Sequence, residues 1–505
     1  MNVARMLERN GNCYALKPIC SFRDREISIS DFSAQANWLA TEFRRLGANK
    51  NCTIAVLATN SPELLASLFA IWAIGAVAVP INPALAAPEV RVIVNHCEPS
   101  VVVLESQFLA LLEGRQSGFA ICAIDAASEG CRQAGVAAPR LQTTPVSPMD
   151  PALIYYTSGT TGTPKGAVIS HAAIAATAEM FSQHLAIGPE DRLLITGPMA
   201  FILHLTMNAL TAISGGASIV ILEKFHPEAV LKAIDSHRIT VLIAVPTAYT
   251  MVLNFLEGRS TALPSLRVAI SAGAAFPEAL SKRVRSGLGI DVFDLWGMTE
   301  CGPITTYDPS HDREGRPDSC GRPLPSCEIR IVDDNLNDLP AGDVGELLAR
   351  SPGLMNGYYK NHRATAEVLV NGWMRSGDLG RLGADRFLYI VGRKKDLIIR
   401  GGANIYPVDI EEVLYSHDAI EECAVIGVPH RTFGEIVKAF VVVRAEMHLL
   451  PIDLIDWCRS CIAEYKVPSQ IEILDALPKG ATGKILKRKL REMSSIATFL
   501  RDTTR

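Results

Sequence analysis

The stretch 155-YYTSGTTGTPKGAVISH-171 holds the sharpest change of character in this chain of 505 residues. The apolar run that leads into it, 152-ALIYY-156, reads as a buried strand. Positions 157–166 then carry four threonines, one serine, three glycines, one proline and one lysine, a composition that no hydrophobic core would use. Glycines let a backbone approach an anion closely, and successive N–H groups form a concave anion site. The hydroxyls add donors and Lys165 adds a point charge. A loop directly after a strand is where α/β proteins bind ligands. These residues therefore suit a polyphosphate clamp, although composition alone also allows a solvated surface loop. The pattern is not GxxxxGK[ST], because proline precedes Lys165 and glycine follows it.

Outward from the loop, short β-branched runs alternate with helix-period segments. Strands are predicted at 53-TIAVLA-58, 101-VVVLE-105, 192-RLLIT-196, 217-ASIVIL-222, 240-TVLIAV-245, 266-LRVAIS-271 and 290-IDVFDL-295. A helix at 227-PEAVLKAIDSH-237 has proline in its first turn. This alternation predicts an α/β fold: a large N-terminal region of several subdomains, with parallel-rich sheets covered by helices. After about Tyr389 the character changes. A helix at 407-PVDIEEVLYSH-417, strands at 422-ECAVIGV-428, 437-VKAFVVV-443 and 470-QIEIL-474, a helix near 452–464 and a basic helix at 484-KILKRKLREM-493 predict a small α+β unit. The charged stretch 391-VGRKKD-396 reads as a hinge, dividing residues 1–392 from 393–505.

Composition excludes several classes. The net charge of −4 gives no reason to expect nucleic acid or an anionic membrane as partner. Twelve scattered cysteines, and no signal-like segment at MNVARMLERN, predict reduced thiols and a cytoplasmic protein. Cys458 and Cys461 in 457-WCRSC-461 read as two ordinary cysteines of a helix. The run 64-LLASLFAIWAIGAVAV-79 is shorter than the ~20 residues that span a bilayer. Gly75 breaks it and Pro80 ends it, which predicts a buried helix running into a buried strand and no transmembrane segment.

Four further stretches accompany the loop: 294-DLWGMTE-300, 372-GWMRSGDLG-380, 392-GRKKDLIIRGGANIYPVDIE-411 and 478-PKGATGKILKRKL-490. Together with the loop, and in this order, they resemble the signatures of the adenylate-forming superfamily: acyl-CoA synthetases, firefly-type luciferases and peptide-synthetase adenylation domains. The resemblance spans essentially the whole chain and is nearest to acyl-CoA synthetases. It implies that a carboxylate is joined to the α-phosphate of ATP with release of pyrophosphate. The acyl group then passes to a thiol, either coenzyme A or a separate carrier protein's phosphopantetheine.

The resemblance also implies roles. Thr157, Ser158, Gly159, Thr160, Thr161, Gly162 and Lys165 would wrap the β and γ phosphates. Trp296 would stack near adenine, with Gly273, Ala274, Asp294, Leu295, Gly297 and Met298 around the nucleotide. Thr299 would meet the α-phosphate, Glu300 and Thr160 would hold Mg²⁺, and Asp378 would accept the ribose hydroxyls beside Arg393. Lys484, opening the basic helix, would bridge carboxylate and α-phosphate oxygens. Lys395 would be the pivot that later brings Gly401 and Gly402 to the thiol path. Lys487, Arg488, Lys489 and Arg491 lack such support and read as a solvated face.

The acid pocket, by the same resemblance, draws on Phe201, His204, Val245, Ala272 and Gly273. No aspartate lies in 198-PMAFILHLTMNAL-210, which argues against an α-amino acid. Phe201 stands where many acyl-CoA synthetases carry histidine, and His204 stands where many carry a small residue. His204 could narrow the pocket, hydrogen-bond a polar group on the acid, or be a satisfied core histidine. Arg192 and Arg267 flank predicted strands and read as surface. The expectation is an apolar monocarboxylic acid, aliphatic, alicyclic or aromatic. A homodimer is compatible with the sequence.

Overall fold

The computed structural model describes residues 2–8, 17–113, 118–125, 141–157, 164–309, 311–312, 316, 318–444, 447, 449–480 and 484–502. The apolar run that opens at Leu64 becomes the helix Pro62–Ala73. Ser61 caps its start by accepting from Leu64 N, and Pro62 occupies the first turn. Eleven of its twelve residues are buried, so the helix is apolar all round because nearly every side chain meets other protein. Trp72 donates its indole N–H to Ala152 O at 2.9 Å and so pins the helix to the strand that feeds the glycine-rich loop. The chain then runs into the strand Val77–Ile81. Pro80 does not end that run as expected: it lies inside the strand, opposite Val56.

Four sheets organise the rest. The first has seven strands, in the order Gly357–Tyr358, Lys165–Ser170, Pro151–Thr157, Val77–Ile81, Thr53–Leu57, Val101–Leu104 and Ala120–Ala123. The second has nine strands, and its central members Val268–Ala272, Val241–Ala244, Arg192–Ile195 and Ser218–Ile221 run parallel. Helices such as Pro227–Ser236 cover this sheet and bury Val230, Ala233 and Ile234 against it. A third sheet of five strands, wholly antiparallel, includes Gly345–Arg350, Trp373–Leu382 and Leu388–Arg393. The fourth sheet belongs to the chain's last part. Its long hairpin, Ile420–His430 with Gly434–Val443, packs against the helices Pro407–Tyr415 and Pro451–Cys461 around a separate core. The α/β expectation therefore holds, with a large mixed region and a smaller α+β unit after it.

No helix among the described residues is long and apolar enough to cross a membrane. Cys458 is buried and Cys461 exposed on one helix, as two unpaired helical cysteines would be.

Candidate active site

The site grows from strand ends. Three neighbouring parallel strands of the nine-stranded sheet end at Ile195, Ala244 and Ala272, and lead into Gly197, Val245 and Gly273. Gly273 has φ +92°, a backbone that favours glycine. A Cβ built on it would stand 3.6 Å from Val245 Cγ1 and 3.7 Å from Lys484 Cε. Lys484, from the far end of the chain, therefore reaches the middle of the large region. It does not open the basic helix as expected. The helix begins at Lys487, three residues further on, and Gly480 N donates to the Lys484 carbonyl at 2.8 Å. Its chain keeps contact with solvent while protein atoms crowd the ammonium. That crowding, with the Arg393 cation nearby, pushes its pKa down to about 8, against the opposing pull of Asp378 and Glu300.

Thr299 and Glu300 occupy the centre of a turn closed by Cys301 N donating to Met298 O at 3.1 Å. The turn joins the antiparallel strands Phe293–Met298 and Gly302–Thr306. Gly297 is required there, since a Cβ would lie 2.5 Å from Gly302 O. On the same strand Trp296 donates its indole N–H to Asp378 Oδ2 at 2.9 Å. Asp378 faces Arg393 across two strands, and its Oδ1 lies 3.2 Å from Arg393 Nε. Asp294 accepts from Leu295 N at 3.0 Å and from Cys320 Sγ at 3.5 Å. Burial raises the Asp294 pKa to about 7, despite those bonds. Leu295 and Ala272 are buried, Met298 is half-buried, and Ala274 is exposed beside Gly273.

Thr157 ends one strand and Lys165 begins the next, paired antiparallel, so the loop between them is anchored at both ends. Ser158, Gly159, Thr160, Thr161 and Gly162 lie outside the described residues. One neighbour of this loop escaped the sequence reading. Tyr358 donates its hydroxyl to Glu300 Oε1 at 2.8 Å, and the Lys165 ammonium stands 5.2 Å above its ring centre. The only signal in the sequence is the aromatic pair in 356-NGYYK-360, which has no period or chemistry to mark it.

Lys395 sits in a single turn, Lys394–Asp396, between the third and fourth sheets. Its two neighbours are tied in opposite directions. Lys394 pairs with Glu346 of the third sheet at 3.1 Å, and Asp396 pairs with Arg491 of the C-terminal helix at 2.7 Å. Lys487 likewise pairs with Glu411 at 2.7 Å. Lys487 and Arg491 are thus structural ion pairs and not the solvated face expected of them. Gly401 and Gly402 have φ of +58° and +86° and are exposed, with Gly401 N donating to Phe433 O of its own unit.

Phe201 is half-buried at the start of the short helical segment that continues as the π-helix Leu205–Leu210. His204 is buried, with 6% exposure, and its Nδ1 has no hydrogen-bond partner. It is a core histidine by burial but not a satisfied one, which corrects that reading. Its Nε2 would lie 2.3 Å from a Cβ on Gly197, so only glycine at 197 admits the ring. Burial alone lowers its pKa to about 4 and keeps it neutral. Arg267 is not free surface: it pairs with Asp191 at 2.7 Å and caps Leu185 and Ala186 carbonyls.

The chain belongs to the AMP-binding enzyme family: that family's model matches residues 7–359, and the model of the AMP-binding enzyme C-terminal domain matches 409–484. It is an AMP-forming acid–thiol ligase, which activates a carboxylic acid with ATP and transfers the acyl group to the thiol of coenzyme A. It is 35% identical to an indoleacetate–CoA ligase of Aromatoleum aromaticum, over the full length of both chains. Among solved structures, it is similar to an anthranilate CoA ligase in complex with anthranoyl-AMP, with a TM-score of 0.92, 30% identity and coverage of 99% of this chain and 98% of that one. It is also similar to the o-succinylbenzoate coenzyme A synthetase of Bacillus subtilis with ATP and magnesium ion, with a TM-score of 0.85, 29% identity and coverage of 96% and 99%.

Proposed function

We propose that Lys484 is the residue that organises adenylation, and that the acid it activates is an apolar monocarboxylate of the aromatic kind. The observation that carries the first part is the approach of Lys484 to Gly273 and Val245 at adjacent strand ends. A cation there can bind a carboxylate oxygen and an α-phosphate oxygen together, bringing two anions into reacting distance. It also offsets the negative charge that gathers on phosphorus in the transition state. Thr299, in the neighbouring turn, donates to the α-phosphate. The loop 157–166 and Lys165 hold the departing pyrophosphate. Asp378 takes the ribose hydroxyls while Trp296 and Arg393 fix its two oxygens, and Asp294 lines the adenine side.

Glu300 fits a magnesium ion brought in with the nucleotide. A carboxylate is a hard oxygen ligand, and Mg²⁺ is commonly held by one or two carboxylates plus substrate phosphates. Bound there, the ion would supply charge neutralisation on the phosphates. The relative crystallised with ATP and magnesium ion supports this reading.

Residues 1–392 form the nucleotide and acid region, and 393–505 form a unit that turns about Lys395 after the first step. The anchoring of Lys394 and Asp396 to opposite units supports the pivot. Rotation withdraws Lys484 and presents Gly401 and Gly402 to the thiol. For the acid, Phe201, Val245, Ala272 and Gly273 offer an apolar surface, and the relatives named for indoleacetate and anthranilate support an aromatic substrate.

The test is a panel of aromatic, alicyclic and aliphatic acids assayed for pyrophosphate release with and without coenzyme A. Turnover with aryl acids, strengthened by coenzyme A, is expected. Release confined to fatty acids would overturn the aromatic assignment.

A further inference from the structure

The loop exit and the carboxylate turn are joined by a strap, residues 355–359. Met355 N donates to Glu300 O at 2.8 Å, which fixes the turn's backbone. Asn356 N donates to Val168 O at 2.8 Å, and Tyr359 N donates to Gly166 O at 2.7 Å. The strand Gly357–Tyr358 therefore lies along the very residues that leave the glycine-rich loop. Asn356 Nδ2 adds a bond to Met149 O at 3.0 Å, ahead of the strand that enters the loop. The strap's own conformation is fixed: Tyr358 N donates to Thr365 Oγ1 at 2.8 Å, and a Cβ on Gly357 would lie 2.8 Å from Thr365 Cγ2. The backbone of Tyr358 thus has little freedom, and its side chain is aimed by it.

That side chain is half-buried and meets two charged groups at once. Its hydroxyl donates to Glu300 Oε1 at 2.8 Å, and its ring face takes the Lys165 ammonium at 5.2 Å from the centre. A hydroxyl on one carboxylate oxygen restricts rotation of the carboxylate and directs its remaining lone pairs. The face of an aromatic ring attracts a cation and so fixes where the Lys165 ammonium stands.

We propose that Tyr358 is a positioning residue of the adenylation step, one that aims the Glu300 carboxylate at the nucleotide's cation through its hydroxyl and holds Lys165 at the phosphate loop through its ring. The proposal rests on the assignment of Glu300 and Lys165 to Mg·ATP made above. It joins two features of the site, separated by 135 positions in the sequence, through one side chain.

The two contacts can be separated. Tyr358→Phe removes the hydroxyl and keeps the ring, whereas Tyr358→Leu removes both. The full-length variants are compared with the parent chain by calorimetric binding of ATP, in magnesium and in EDTA, without acid so that no turnover occurs. Binding of Mn²⁺ to the ATP complex is followed by electron paramagnetic resonance. Orienting partners of metal ligands typically govern metal affinity by about 10- to 100-fold. Tyr358→Phe is therefore expected to weaken Mn²⁺ binding in that range and to lose most of the magnesium-dependent gain in ATP affinity. ATP binding in EDTA should be unchanged for Tyr358→Phe and weakened for Tyr358→Leu. Melting temperatures within a few degrees of the parent's establish that both variants are folded. If Tyr358→Phe binds Mn²⁺ as the parent does, the positioning role is overturned while the Glu300 assignment stands. If the parent itself gains nothing from magnesium, the Glu300 assignment fails and this proposal with it.

Discussion

Trp296 and Asp378 share a hydrogen bond of 2.9 Å that joins the nine-stranded sheet to the third sheet at the proposed nucleotide site. The same carboxylate meets Arg393, the last residue of its strand before the turn Lys394–Asp396. Asp378 is therefore held from two sides.

Substitutions at this junction should act on ATP and leave the acid alone. Asp378→Asn keeps the shape but removes a charge that two donors share. A hydrogen bond to a charged group accounts for about 10- to 100-fold in binding, so KM for ATP should rise within that range. Trp296→Phe loses one N–H and should cost about 5- to 10-fold. Steady-state kinetics with acid saturating check both; a rise in the acid's KM of the same size would contradict the assignment.

Lys484 should impose an alkaline limit on adenylation. Crowding and Arg393 lower its pKa to about 8, and the role proposed for it needs the cation. Activity is therefore complete below that value and falls as pH rises through it. The limb belongs in kcat/KM, which reports the free enzyme. In kcat it should move to higher pH, because bound ATP and carboxylate are anions that favour the charged lysine. A kcat/KM profile flat to pH 10 would remove Lys484 from this role.

His204 links the pocket to stability. Its ring is neutral when buried, with a pKa of about 4 against 6.5 for the ordinary side chain. The unfolded chain thus binds the proton more readily, so stability is full above pH 6.5 and is lost as pH falls toward 4. Each pH unit in that window is worth about 1.4 kcal/mol per group. His204→Phe should flatten the acid side of the melting-temperature profile, and an unchanged slope would show that the ring is not the titrating group. The same variant should change relative kcat/KM across ring-substituted acids if the ring borders the pocket.

Lys395→Pro tests the pivot. Proline fixes φ and removes a donor, so it stiffens the turn between two anchored neighbours. Adenylate formation should persist, and thioester formation from supplied acyl-adenylate should fall by at least about tenfold, a barrier increase of roughly 1.4 kcal/mol. Equal losses in both half-reactions would sink the hinge assignment.

Local signals carried much of this architecture. The strand before Thr157, the helix-to-strand passage after Leu64 and the hairpin after Ile420 are all written in apolar period and β-branched runs. The candidate site was legible through ordered motifs and not through single residues: the family resemblance singled out the loop after Thr157, Glu300 and Lys484. Relations that only folding creates were not. Tyr358 acquires its partners because a two-residue strand pairs with Lys165–Ser170, remote in sequence. Lys487 and Arg491 look like solvated charges on a helix, but Glu411 and Asp396 wait for them in the packed unit. Pro80 sits within a parallel strand although proline usually ends such runs. His204 reads from sequence as one polar residue among apolar ones; only packing against Gly197 shows that the ring is enclosed and unpaired.

Lys484, brought from the last unit to the end of a central strand, is proposed to serve the first half-reaction alone. Lys484→Ala should be measured in two assays with one acid: acid-dependent exchange of pyrophosphate into ATP, and thioester formation from synthetic acyl-adenylate and coenzyme A. The exchange should fall by about 100-fold or more, as expected when a transition-state charge partner is removed, with ATP binding and the second reaction retained. Undiminished exchange, or equal loss of both reactions, would contradict it.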